Sequence, residues 1–289
     1  MFGHTTRRRF LLMSLAIIAA PVANAADDRP VRFGLTAVVV RDSLSFFERW
    51  ADYLGRRVGR PVQFVQRRSY RDVMQLIETG DVDFAWICEY PYVQASPDVL
   101  ELVATPIFQG VPLFRTYIIV NRDSPFATLE DLKGRVFAFS DPESNTGFLA
   151  PRDLVAKRGH SVDRFFRLTF FTYSHAETVE AVADRVADGG AVESYVWEHL
   201  RRTKSALADR TRIIERSELY GFAPIVMRRG IAPRLGTAMR NALIGMRKDK
   251  EGAKLLVDLS LDGFGVFPSS TYDSVRAIAR RLNEEVSLQ

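Results

Sequence analysis

The fold prediction starts from residues 62–87, which read VQFVQRRSYRDVMQLIETGDVDFAWI. Its two ends, 62–66 and 82–87, are short runs rich in Val, Phe and Ile, which are typical of β-strands. Between them apolar residues recur at helical spacing after Ser69, a preferred helix cap, and Gly80 ends the helix. The stretch therefore predicts one strand–helix–strand unit.

The sequence on both sides repeats this alternation. Residues 31–36 read as an earlier strand, followed by a helix from about Asp42, capped by Asp42 or Ser43, with aromatic residues on one face. This β-α-β-α-β order is typical of a mostly parallel sheet with helices on its faces. A second series begins near Tyr117, and the chain after Ala232 reads as helical. Two such series predict two lobes with a cleft between them.

Composition and charge limit the classes of function. The chain has 289 residues, 47% of them hydrophobic, which is enough for one large domain or two medium ones. Its formal net charge is +5, and removal of the N-terminal arginines 7–9 leaves +2, too little to indicate a nucleic-acid partner. The single cysteine, Cys88, cannot form an internal disulfide, so the fold must rest on its core.

The N-terminus has the pattern of an export signal. Arginines 7–9 precede an apolar run over residues 10–20, and Ala23 and Ala25 give the small-x-small cleavage pattern. The run is about eleven residues long, shorter than the roughly 20 that a membrane-spanning helix needs. We expect residues 1–25 to be a cleavable signal peptide and the mature protein to be periplasmic. The twin-arginine and general secretory routes both remain open, because their signals are nearly alike here.

The segment 140–148, SDPESNTGF, joins a predicted strand to a predicted helix. A helix start presents unpaired backbone N–H groups and the positive end of the dipole, which suits an oxyanion. Ser144, Asn145 and Thr146 add side-chain donors, and Gly147 permits close approach to the backbone. Ordinary capping is the alternative, although one cap needs fewer donors than this segment carries.

Two further candidates follow predicted strands, at the edge where α/β sheets place ligands. His175 lies at a second strand-to-helix junction, where an imidazole can donate to an anion, or serve as a cap or a surface residue. Tyr92 follows the strand 82–87, and its hydroxyl can bond an oxyanion or simply accompany apolar packing. Neither residue identifies a site by itself.

Over nearly all its mature length the chain resembles the phosphate-, phosphite- and phosphonate-binding periplasmic proteins of ABC importers. The resemblance implies a type II periplasmic-binding-protein fold of the α/β class, with two lobes joined by two hinge strands. Each lobe is then a mixed sheet flanked by helices, with lobe one at residues 30–117 and 225–289 and lobe two at 118–224. The segments that carry the resemblance are 80–86, 92–93, 123–125, 129–134, 139–147, 174–175, 220–226 and 261–264.

The resemblance also implies roles for particular residues. The donors to the anion oxygens correspond to Ser144, Asn145 and Thr146, with His175 beside them and Tyr92 closing from lobe one. Glu193 falls where binders of aminoalkylphosphonates place a carboxylate for the ligand ammonium.

This chain departs from the family pattern at three places. Cys88-Glu89 replaces the usual Gly-Pro, Asn145 replaces a more usual hydroxyl residue, and Ala223 replaces a second carboxylate. These departures leave capture of an anion in place and put an ammonium-bearing ligand in doubt. If Glu89 points into the cleft it repels a dianion, so either it faces outward or the ligand differs.

These observations predict a binding protein and not an enzyme, with no catalytic residue, no metal and no cofactor. The sequence lacks the nucleophile-elbow, zinc-protease and phosphate-loop motifs, and Cys88 lies at the end of an apolar strand. We expect a monomer that captures a small oxyanion of the phosphate, phosphite or phosphonate class for an ABC permease. The alternative is a protein that reports to a membrane sensor kinase, with a non-phosphorus oxyanion as a further possibility for the ligand.

Overall fold

The computed structural model describes residues 1–2, 29–36 and 44–287 of the chain. The predicted signal peptide, apart from its first two residues, and the predicted helix cap at Asp42 or Ser43 lie outside the described residues. Within the described ranges, no helix combines the length and the apolar character that a bilayer crossing requires.

The strands belong to two large sheets and a two-stranded ribbon. Their bounds are β1 Val31–Leu35, β2 Val62–Gln66, β3 Phe84–Trp86, β4 Leu100–Ile107, β5 Leu113–Phe114, β6 Thr116–Asn121, β7 Val136–Phe139, β8 Leu168–Phe171, β9 Gly189–Glu193, β10 Thr211–Arg216, β11 Tyr220–Gly221, β12 Ile225–Arg228 and β13 Gly263–Gly265. The α-helices are α1 Leu44–Val58, α2 Tyr70–Thr79, α3 Glu89–Gln94, α4 Ala150–Ala156, α5 Val162–Phe165, α6 His175–Ala183, α7 Ser194–Thr203, α8 Ser205–Ala208, α9 Pro233–Gly245, α10 Lys250–Leu259 and α11 Asp273–Ser287.

The first large sheet has the strand order β13-β4-β12-β3-β1-β2. The strands β2 and β3 both run parallel to β1, whereas β12 runs antiparallel to β3 and β4. Predicted capping is confirmed on α2, where the Ser69 hydroxyl accepts from the Asp72 N–H at 3.1 Å and Gly80 ends the helix at φ 83°. The sheet is therefore mixed, with the predicted β-α-β-α-β unit as its parallel half.

The second large sheet has the order β10-β6-β9-β7-β8. Here β8 and β9 run parallel to β7, and β6 runs antiparallel to both β9 and β10. Both lobes thus contain a mixed sheet flanked by helices, as the fold prediction required. Because β7, β8 and β9 share one direction, their carboxyl ends meet at one edge of this sheet.

The short strands β5 and β11 pair with each other between the two large sheets. The chain passes from the first sheet to the second through β5 and returns through β11. The predicted lobe limits, 117/118 and 224/225, stand close to these passages, although β6 already begins at Thr116. As domain limits they stay a prediction.

The C-terminal helices return to the first lobe, where α9 and α10 pack on α1. The last helix, α11, contacts both α3 of lobe one and α4 of lobe two. Its Arg281 donates to the buried carboxylate of Asp153 on α4, with an Nε–Oδ1 distance of 2.8 Å. This helix therefore contacts both lobes and lies next to the ribbon formed by β5 and β11.

Candidate ligand-binding site

The carboxyl edge of the second sheet gathers the residues that the sequence analysis selected in lobe two. The strand β7 leads into Ser144, Asn145 and Thr146, β8 leads into His175, and β9 ends at Glu193. All of these side chains are buried. Their convergence follows from the parallel direction of the three strands.

The helix start after β7 has an unusual form. Asn145–Leu149 makes one π-helical turn that continues into α4, and such turns are frequent at functional sites. The Ser144 hydroxyl oxygen accepts from the Gly147 N–H at 2.9 Å, so Ser144 is the helix cap. The Thr146 hydroxyl is fully buried and has no hydrogen-bond partner among the described residues. Thr146 therefore offers a donor that capping does not use.

Gly147 has a structural reason to be glycine. A Cβ atom built on this residue would lie 1.6 Å from the Ser140 hydroxyl oxygen and 2.9 Å from that of Ser144. The close approach that the sequence analysis assigned to a ligand is made here by the Ser140 side chain. The Ser140 hydroxyl, like that of Thr146, is buried without a partner in the described part of the chain.

The His175 imidazole is held in one tautomer. Its Nδ1 accepts from the Glu193 N–H at 3.1 Å, so the proton of the neutral ring must be on Nε2. Burial lowers the pKa of His175 to about 3, which keeps the ring neutral at ordinary pH. The Nε2 atom lies 3.6 Å from Glu193 Oε2, which is beyond hydrogen-bond distance. His175 thus presents a neutral N–H donor that has no partner among the described residues.

Lobe one contributes residues that the sequence analysis did not select. Tyr70 begins α2, and its buried hydroxyl has no partner among the described residues. Burial raises the pKa of Tyr70 well above its usual range, and the charges of Cys88, Glu193, Asp141 and Glu89 act in the same direction. Tyr70 stands just after β2, and this position at a carboxyl end of a strand was the signal that could have found it.

Glu89 faces into the space between the lobes. It begins α3, is fully buried, and its Oε1 accepts from the Asn145 side-chain N–H at 2.7 Å. Burial raises the pKa of Glu89 to about 7. Burial and the charge of Glu89 together raise the pKa of Glu193 well above its usual range. The two carboxylates therefore share one buried environment.

Tyr92 is the one selected residue that the structure does not bring to this group. It lies three residues beyond Glu89 on α3. Its ring packs edge-on against Tyr272, with centroids 4.9 Å apart, and its hydroxyl is affected by Arg276. The role of Tyr92 in ligand binding stays a prediction.

Contacts across the cleft hold the two lobes closed. Asp141 Oδ2 accepts from the Tyr70 N–H at 3.1 Å, and the Asn145 N–H donates to the Cys88 sulfur at 3.4 Å. At the mouth of the cleft Arg71 pairs with Glu143 at 3.0 Å. The lobe-two helix start is consequently enclosed by lobe-one side chains.

The enclosed site combines unpaired polar atoms with an absence of cationic side chains. Of the residues that the structure describes, the buried polar and charged ones include no lysine or arginine. Thr116, opposite Glu193 in the β6–β9 pair, adds another unpaired hydroxyl. The unpaired atoms around the cleft are Tyr70 Oη, Thr116 Oγ1, Ser140 Oγ, Asn145 Oδ1, Thr146 Oγ1, His175 Nε2 and Glu193 Oε1. Within the described part of the chain, the groups available to an anion are therefore neutral donors and helix dipoles.

Comparison with known proteins identifies the family of this chain. Residues 33–272 match the family model described as ABC transporter, phosphonate, periplasmic substrate-binding protein. The chain is 25% identical to the phosphonates-binding periplasmic protein of Escherichia coli over 231 residues, which cover 76% of this chain and 67% of that protein.

Solved structures share the fold. A binding-protein component of a phosphonate ABC transporter from Pseudomonas aeruginosa has a TM-score of 0.79 at 23% identity, covering 88% of this chain and 86% of that one. A Prochlorococcus marinus protein in complex with methylphosphonate has a TM-score of 0.78 at 19% identity, covering 89% of this chain and 99% of that one.

Proposed function

We infer that this chain, which belongs to the family of periplasmic substrate-binding proteins of phosphonate ABC transporters, captures a phosphonate-class oxyanion between its lobes. One observation carries the inference. Buried polar groups that have no partner among the described residues lie in both lobes, on the elements that face each other, including Tyr70 from lobe one and Thr146 and His175 from lobe two.

The energetics of these groups favour a ligand. A buried donor left unsatisfied costs about 1–3 kcal/mol, so native proteins rarely keep several of them together. A phosphonate group offers three oxygens, each able to accept more than one hydrogen bond. Tyr70, Ser140, Thr146 and His175 supply donors to such oxygens without any need for a cationic side chain.

Reversible capture without covalent change fits the chemistry of the site. Burial and the neighbouring Glu89 raise the pKa of the Cys88 thiol, which makes a nucleophilic thiolate unfavourable. The neutral His175 ring directs its single N–H, on Nε2, toward the cleft. Its Nδ1 accepts from the Glu193 N–H, which fixes the orientation of the ring. We propose that the protein acts as a monomer that closes on the anion and delivers it to a membrane permease.

A ligand with its own hydrogen-bond donor is the second candidate. Asn145 Oδ1 and Glu193 Oε1 are unpaired acceptors beside the donor groups, and Glu89 lies near them. An aminoalkylphosphonate would place its ammonium against such acceptors. The ligand panel below separates this candidate from a simple alkylphosphonate.

The test is a thermal-shift and calorimetry panel on the mature protein with methylphosphonate, 2-aminoethylphosphonate, phosphite, phosphate and sulfate. A ligand at about 100 times its Kd raises the stability by roughly 2.7 kcal/mol. We expect a phosphonate or a close relative to give the largest shift. If every phosphorus oxyanion leaves the melting temperature and the calorimetric trace unchanged, the proposed function is wrong.

A pair of buried threonines makes the site assignment testable. Thr146→Val removes an unpaired hydroxyl, so we expect affinity to fall about 10- to 100-fold while stability is kept, since a hydrogen bond to a charged group contributes about 1.5–3 kcal/mol. Thr211→Val removes a hydroxyl that accepts from Trp197 Nε1 at 3.0 Å, far from the cleft residues in lobe two. This control should lose about 1–3 kcal/mol of stability and keep its affinity. Equal affinities for both variants would remove Thr146 from the site.

The partner can be identified with the same protein. Liganded protein fixed on a resin should retain an ABC permease from detergent-extracted membranes. Recovery of a sensor kinase in place of a permease would contradict the transport function while leaving the ligand site intact.

A further inference from the structure

Glu89 is a buried carboxylate in the cleft that the capture of an oxyanion does not explain. It reaches from lobe one to lobe two, where its Oε1 accepts from the Asn145 side chain at 2.7 Å. The Cys88 thiol donates to its Oε2 at 3.2 Å, and the Asn145 backbone N–H donates to the same thiol. Lobe one thus holds the helix start of lobe two through an acidic side chain.

Among the described residues, the groups that act on Glu89 include no positive charge. The titratable groups around it on the packed elements are Tyr70 on α2, Cys88 before α3, Asp141 after β7, His175 on α6, Glu193 on β9, Tyr220 on β11 and Tyr272 before α11. All of them are neutral or acidic at ordinary pH. Arg276, which acts on Tyr272, already pairs with Asp273 at 2.7 Å. An ionised Glu89 therefore has no counter-charge among the residues that the structure describes.

A bound oxyanion increases this conflict. Two carboxylates, those of Glu89 and Glu193, line the same enclosed space that receives the negative ligand. Like charges held close together in a desolvated site raise each other's affinity for protons. One way to remove the conflict is to add a proton to a carboxylate as the lobes close.

We propose that Glu89 is a specificity-determining residue that takes up a proton when the cleft closes on an oxyanion, so that this chain binds its anion together with a proton. The proposal rests on the proposed function. Protonated Glu89 keeps its acceptor contact with Asn145 and removes the repulsion that an ionised carboxylate exerts on the ligand. Ionised Glu89 disfavours a dianion in the closed site.

The direction of the pH dependence follows from the pKa values. An exposed Glu89 in an open cleft has its ordinary pKa near 4.5, whereas burial in the closed cleft raises the pKa to about 7. The closed, liganded state therefore holds more protons than the open state between these values. Affinity is highest at low pH and is lost as the pH rises towards the closed-state pKa, which a bound anion raises further.

Calorimetric titration with methylphosphonate from about pH 5 to about pH 7.5 tests the proposal on the wild type and on Glu89→Gln. Glutamine keeps an acceptor for Asn145 and carries no charge, so it mimics the protonated acid. The ionisation of the ligand is common to both proteins and cancels in the ratio of their Kd values. We expect the ratio of wild-type to variant Kd to rise roughly tenfold or more across this range.

Two carboxylate variants serve as controls. Asp258→Asn removes an exposed carboxylate that pairs with Arg49 away from the cleft and should leave the wild-type pH profile unchanged. If Glu193→Gln abolishes the pH dependence and Glu89→Gln keeps it, the assignment to Glu89 is wrong. A constant ratio between wild type and Glu89→Gln overturns the proposal outright. Absence of any oxyanion binding would instead contradict the proposed function.

A measurement on the wild-type protein keeps the proposal testable if Glu89→Gln does not fold. The carboxyl carbon of Glu89, followed by ¹³C NMR in protein with labelled glutamate, reports its ionisation directly. We expect the signal of the protonated acid in the methylphosphonate complex at about pH 6.5, where an unperturbed glutamate is ionised. A carboxylate signal in that complex would overturn the proposal.

Discussion

Replacement of Gly147 by alanine tests the packing on which the helix start depends. The new Cβ atom would lie 1.6 Å from Ser140 Oγ and 2.7 Å from Ser140 Cβ, far inside van der Waals contact. Because both residues are buried, either the π-helical turn or the strand end must move. Overpacking of this kind costs about 1–3 kcal/mol, which lowers the Tm of a domain of this size by roughly 2–4 °C per kcal/mol. The shift also moves Thr146, so we expect weaker ligand binding.

Thermal melts and calorimetry with methylphosphonate measure both effects. Gly245→Ala is the matched control, because its Cβ meets nothing within 4 Å and alanine favours a helix. Adding Ser140→Gly to Gly147→Ala removes the clashing side chain and should restore most of the lost stability. If Gly147→Ala keeps both wild-type Tm and wild-type affinity, the described packing of the helix start is wrong.

Two other predictions concern the tyrosines and the histidine. Tyr70→Phe should weaken methylphosphonate binding about tenfold or more, because one hydrogen bond to a charged group is lost. Tyr92→Phe should leave the affinity measured by calorimetry nearly unchanged. The reverse result would show that Tyr92, and not Tyr70, binds the ligand. The ¹⁵N signals of His175 should show a neutral ring with the proton on Nε2 from about pH 5 to about pH 8, because burial lowers its pKa to about 3. Since the unfolded chain binds that proton below about pH 6.5 and the folded chain does not, stability should fall as the pH drops. A ring that titrates near pH 6.5 in the folded protein would contradict the buried, neutral assignment.

Local signals in the sequence were sufficient for the order β1-α1-β2-α2-β3, whereas α3, β4 and β13 of the first lobe were not predicted. Ser69 and Gly80 bracket α2 as predicted, because a cap and a left-handed glycine act within a few residues. The helix start at Ser144 was likewise predicted from its own residues. Such features depend on backbone chemistry that neighbours in the sequence determine.

Features that depend on tertiary contacts were missed or placed wrongly. The strand β9 was not predicted, because its Gly189-Gly190 opening resembles a turn. In the fold, a Cβ on Gly190 would lie 2.7 Å from Thr178 Cγ2, so glycine serves the close packing of α6 on the sheet. Val186 continues the apolar spacing of Val179 and Val182, yet the helix ends at Ala183 and the Val186 side chain is exposed.

The lobe-one half of the site shows the same limit. Tyr70 and Glu89 each begin a helix after a parallel strand, as Ser144 does, but their direction toward the cleft depends on how the two lobes face each other. The departure from the family pattern at Cys88-Glu89 marked the position, and the sequence left open whether Glu89 faces in or out. The contact between Glu89 and Asn145 supplies that answer.

A crystal structure of the mature protein with methylphosphonate shows directly whether the anion binds between the lobes at the helix start after β7. The account predicts phosphonate oxygens within about 2.5–3.2 Å of Thr146 Oγ1, His175 Nε2 and Tyr70 Oη, the groups that have no partner within the described chain. The proposed site is contradicted if methylphosphonate binds elsewhere while Cys88 and Glu89 remain packed against the helix start and these three groups remain unpaired.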